Sequence, residues 1–111
     1  MALLVLPFGC MGPTGNPTTL EGIRREAGEL MQRPIPRSQS FIDVPIDQLP
    51  PTIAALKPDF VLVNESGVDI VTTAFFDGGW GYYVPRSANP SPNSLFRHYR
   101  VGRGVYWFHP Y

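Results

Sequence analysis

The sequence holds one cysteine, one lysine and no acidic residue after Asp77. A lone Cys10 excludes an internal disulfide and a zinc site built from several thiolates. It leaves the compartment open, because cytoplasmic chains usually lack disulfides and exported ones can. No apolar run approaches the ~20 residues that cross a bilayer as a helix, so no transmembrane segment is expected. The two histidines, His98 and His109, are eleven residues apart, which gives neither HxH nor HxxxH metal spacing. The glycine runs Asp77-Gly78-Gly79-Trp80-Gly81 and Gly102-Arg103-Gly104 contain neither GxGxxG nor a P-loop lysine, so they read as turns. No cofactor and no metal are expected.

What is present is enough for one small domain. The 111 residues are 43% hydrophobic, and that apolar content can offset chain entropy. Thirteen Pro and eleven Gly make up about 22% of the chain, near the range of disordered sequences, but most fall at the ends of periodic segments. Nine basic and nine acidic side chains cancel, which argues against nucleic acid or anionic lipid as a partner drawn by a global field. The cancellation hides an asymmetry. The balance is +1 from Met1 to Ser40, −5 from Phe41 to Asp77, and +4 from Gly78 to Tyr111. Eight of the nine bases are Arg, the residue suited to planar, bidentate or stacked contacts. Facing strands that pair these charges, or plain solvation, would account for the same layout.

The stretch 1–16 reads as a short N-terminal strand or a tether. An apolar run ending in Gly9-Cys10 also resembles the end of a bacterial lipoprotein signal, although it lacks a basic n-region and is short. Were the true start upstream and Cys10 lipidated, the location would be the envelope; otherwise the cytoplasm is favoured. Residues 17–111 form the expected globular core. Thr18 and Glu21 have capping-box spacing, and Leu20, Ile23, Ala27, Leu30 and Met31 make one helical stripe. Glu21 with Arg25 and Glu29 with Arg33 are i,i+4 pairs, and Pro34 and Pro36 end the element. Gly22 and Gly28 weaken this helix by about 1 kcal/mol each, so it needs a packing surface.

Phe41 to Ile46 reads as an edge strand containing Pro45, and Leu49 to Leu56 as a short helix with Pro51 in its first turn. Phe60–Val63 and Val68–Phe76 read as strands about an Asn-Glu-Ser-Gly turn. Alternation along the second puts Val68, Ile70, Thr72, Ala74 and Phe76 on one face, and Asp69, Val71, Thr73 and Phe75 on the other. Trp80–Val84 and Val105–His109 are further strands, 86–93 is a polar loop, and Ser94–Val101 is ambiguous between helix and extended chain. The expected class is α+β, with an N-terminal amphipathic helix and a short second helix packed on a mainly antiparallel sheet of four or five strands. This order of elements resembles small bacterial accessory domains, a likeness that assigns no residue a role.

Eleven of the fourteen aromatics lie from Phe75 onward, together with both His and four Arg. Tyr, Trp and Arg dominate binding hot spots because they give large contact area with a polar tip. Tyr82 and Val84 cannot face the same way as Tyr83, so one side of that strand carries aromatic surface beyond the core. The candidate binding residues are Trp80, Tyr82, Tyr83, Arg97, His98, Arg100, Arg103, Tyr106 and Trp107. They suggest a non-enzymatic binding module for a protein or small-molecule ligand. A small enzyme pairing His98 or His109 with Asp69 or Asp77 is the alternative, and homodimerisation through an uncovered sheet face is a third. Cys10 has no cationic neighbour or helix N-terminus near it in sequence to make it a nucleophile.

Overall fold

The computed structural model describes residues 13–75, 78–87 and 98–108. Cys10, Asp77, Arg97 and His109 lie outside them, and with them the readings of the N-terminal segment, of a lipid anchor and of most of the polar loop. The first element is helix α1, Pro17–Leu30. Its cap is Asn16, not Thr18. The Asn16 Oδ1 accepts the backbone N–H groups of Thr18 at 2.9 Å and Thr19 at 3.2 Å, and Pro17 takes the first helical position, where no N–H is needed. Starting two residues early leaves Glu21 free of capping, and it pairs one turn on with Arg24 rather than with Arg25. The helix stops at Leu30, so Arg33 lies beyond its end and reaches Gln48 instead of Glu29.

Strand β1, Phe41–Asp43, is followed by a single 3-10 turn at Ile46–Gln48 and by helix α2, Pro51–Ala55, again opened by proline. Strands β2, Phe60–Asn64, β3, Gly67–Phe75, β4, Gly78–Pro85, β5, His98–Gly102, and β6, Val105–Phe108, complete the described chain. They form one antiparallel sheet in the order β1-β2-β3-β4-β6-β5. The class is therefore α+β, with six strands where four or five are expected from sequence. The added strand is β5, so the described part of the ambiguous segment, from His98 onward, is extended chain.

One expectation fails at a bulge. Val71 faces Gly81, but Thr73 faces Trp80, so Thr72 is the extra residue and the alternation changes phase there. Val68 and Ile70 share the core face as expected; beyond the bulge Thr73 takes the side of Trp80, and Thr72 sends its hydroxyl to the Trp80 carbonyl at 3.1 Å.

Both helices pack on one face of the sheet. Leu20, Ile23, Ala27 and Leu30 of α1 and Ile53 of α2 meet Val61, Val63, Val68, Ile70, Tyr82, Val84, Val105 and Trp107. Each such aliphatic side chain contributes about 1.5–3 kcal/mol by leaving water. Gly22 has a positive role here. A Cβ at that position would sit 2.9 Å from Thr52 Oγ1, so the missing side chain sets how closely α1 approaches α2. Beside it Glu26, 2% exposed, accepts the Thr52 N–H at 3.0 Å and the Ile53 N–H at 2.9 Å. Pro50 provides no side-chain cap for α2, so a carboxylate from the neighbouring helix does so.

Candidate functional site: an arginine-lined groove

The β5–β6 hairpin turns at Arg103-Gly104. Gly104 has φ +69°, the left-handed region that glycine enters without strain, and a Cβ there would lie 3.2 Å from Arg24 Cδ. A Cβ on Gly102 would likewise lie 3.1 Å from Leu20 Cδ1. These two glycines let the hairpin sit close against the flank of α1. Strand β4 pairs with β6 only as far as Tyr83 and Tyr106, and then departs through Val84 and Pro85. Between this departing strand, the hairpin and α1 lies a groove of about 480 Å³. Arg24, Arg86, Arg100, Arg103, Met31 and Tyr106 are its principal walls, and no Asp or Glu is among the described lining residues.

The four arginines differ in what they already hold. Arg86 donates Nε to the Glu65 carbonyl at 3.2 Å, Nη1 to Met31 at 2.9 Å and Nη2 to Asn64 at 2.9 Å. Met31 is the C-cap of α1, so the cation also lies at the negative end of that helix. Arg24 donates from Nε and Nη2 to the Glu21 carboxylate. That hydrogen bond holds the Glu21 carboxyl below its ordinary value against an opposing burial effect, and the charges of Arg24, Arg103 and Arg25 each lower it a little further. Arg100 makes one long contact, Nε to the Gly102 carbonyl at 3.4 Å. Arg103 is exposed and has no hydrogen bond among the described residues. A guanidinium has five N–H donors, so Arg100 and Arg103 keep most of theirs for something else.

A second group lies on the opposite face of the sheet. Asp69 faces Tyr83, Tyr83 faces Tyr106, and Tyr106 faces Arg100, so the four share that side across three strand boundaries. The Tyr83 ring lies edge-on to His98 at 5.1 Å, and its hydroxyl donates to the Ser66 carbonyl at 3.0 Å. His98 also packs on Phe108 at 5.5 Å. Burial pushes the Asp69 carboxyl above its ordinary value, opposed by the Asn64 amide donating at 3.1 Å and by the charge of His98.

The residues singled out by sequence thus separate into three places. Tyr82 and Trp107 are in the core, their rings edge to face at 5.1 Å, and Trp80 packs half-buried against it. The Tyr82 hydroxyl accepts the Thr14 N–H at 2.8 Å, and burial raises its pKa against the effect of that bond. Tyr83 and His98 lie on the opposite face. Arg100 and Tyr106 share that opposite face and also line the groove, as does Arg103. Sequence reasoning missed Arg24, Met31 and Arg86 as groove walls. Arg24, Gly28 and Met31 are offset by four and three residues, which marks a single helix flank beside the apolar stripe.

Among the described residues no three His, Cys, Asp or Glu come together as a metal site, and no helix is long and apolar enough to cross a membrane. No family model, curated protein or solved structure matches this chain.

Proposed function

We propose that the protein is a non-enzymatic binding module whose arginine-lined groove receives an anionic group of a ligand or partner. The observation that carries this reading is a concave site with four guanidinium groups and no carboxylate among its described lining residues. Two of the four, Arg100 and Arg103, have N–H donors not engaged by the fold. The test compares thermal unfolding in sodium sulfate and in sodium chloride at matched ionic strength, for the wild type and an Arg100→Ala, Arg103→Ala double variant. Sulfate binding to the native state raises Tm with concentration, and the double variant loses that increment while keeping the general salting-out effect. An identical sulfate response in both proteins overturns the proposal.

A second reading, a small enzyme using His98 with Asp69, has one observation in its favour: the carboxyl of Asp69 is desolvated within the field of His98. Neither residue lines the groove or the two smaller cavities beside Arg33 and Leu20.

A further inference from the structure

We infer, resting on the binding reading above, that the groove's ligand is a small organic phosphate with a planar ring, of the size of a nucleoside monophosphate. Three features of the groove converge on this class. Its volume of about 480 Å³ falls in the range of ~300–1,000 Å³ typical of small-molecule sites. Protein partners, by contrast, ordinarily cover about 800 Å² on each side.

The charge favours a dianion. Arg86 is engaged by three carbonyls and Arg24 by Glu21, so the cations left to meet a ligand are Arg100 on strand β5 and Arg103 in the turn of the same hairpin. Two guanidinium forks can each give two parallel N–H bonds to a phosphate, whose oxygens outnumber those of a single carboxylate. The field of Arg24 and Arg86 adds to theirs, and Glu21 offsets one unit of it.

The rest of the lining calls for more than a bare ion. Tyr106, half-buried, stands on the groove wall with Met31, Val84 and Pro85. An aromatic face beside a cationic cluster gives a planar ring a stacking surface while the phosphate is held. No imidazole, carboxylate or thiol is among the described lining residues.

Calorimetric titration of the whole chain at low salt tests the inference with adenosine 5′-monophosphate, uridine 5′-monophosphate, adenosine, sodium phosphate and citrate as probes. At least one monophosphate should bind tenfold or more tightly than sodium phosphate and citrate, with adenosine undetectable. Arg100→Ala and Arg103→Ala should each weaken that binding tenfold or more. Tyr106→Leu should reduce the monophosphate to the level of sodium phosphate, whereas Tyr106→Phe should not. Unchanged circular dichroism confirms that the variants fold; if Tyr106→Leu does not, the Tyr106→Phe and arginine variants still decide. Citrate binding as tightly as either monophosphate overturns the organic-phosphate inference and leaves the anion reading standing. Adenosine binding as well as its monophosphate, or no anion binding at all, overturns both.

Discussion

Tyr82 and Tyr83 are adjacent, equally buried at 3% exposure, and in different worlds. Tyr82 points into the layer between sheet and helices, among branched aliphatics and Trp107. Tyr83 points to the other side, where its neighbours are His98, Tyr106 and the sheltered Asp69. Burial alone does not say what a side chain is for. The helix-covered face is packed by aliphatic volume, whereas the opposite face combines rings with titratable groups that could have stayed in water. Each face also has a carboxylate sheltered from water. Glu26 on the helix side is used on both oxygens as a cap, while Asp69 on the other side has a single amide donor and a raised pKa.

The sharpest way to break this comparison is a pair of neighbours on β3. Ile70→Ala, on the helix-covered face, should lower unfolding free energy by about 2–5 kcal/mol. Val71→Ala, buried on the other face outside the main core cluster, should cost about 1.5 kcal/mol, from ~0.8 per methylene. Urea denaturation measures both, and equal losses would mean the two faces are packed alike. Glu26→Ala should come next, at about 1.5–3 kcal/mol, because it strips the Thr52 and Ile53 N–H groups of a charged acceptor.

The smallest effect is a pH dependence. Asp69 binds its proton more tightly folded than unfolded, so its contribution is fully present below the unfolded carboxylate pKa and is lost as pH rises through the folded one. Asp69→Asn should therefore gain stability relative to wild type between acid and neutral pH. Parallel curves for the two proteins across that range would show that the second face does not strain its carboxylate.

How much of this could be read from sequence depended on whether a feature was local. The stripe from Leu20 to Leu30 sufficed to place α1, because helical periodicity needs no partner. Its cap was harder: Asn16 and Thr18 both carry a capping oxygen, and Pro17 decided between them. His98–Gly102 has no alternation to betray a strand, and becomes one only by pairing with β6. The bulge at Thr72 is equally silent, since it is defined by what Trp80 and Gly81 face. For the groove, the acid-free stretch pointed to Arg100 and Arg103, while Arg24 depended on which flank of α1 meets the hairpin. That is a matter of tertiary packing.

Arg86 has a consequence for how the domain is assembled. Its guanidinium fastens the end of α1 to the β2–β3 turn, and its backbone N–H reaches Ser66. The helices and strands β1 to β4 are thereby latched just beyond the point where β4 parts from β6, and β5 with β6 closes on that latched body along β4 and α1. The groove follows the seam between the two. Its width is therefore set by how the hairpin seats, and a ligand bound there would stitch the last two strands to the first part of the chain.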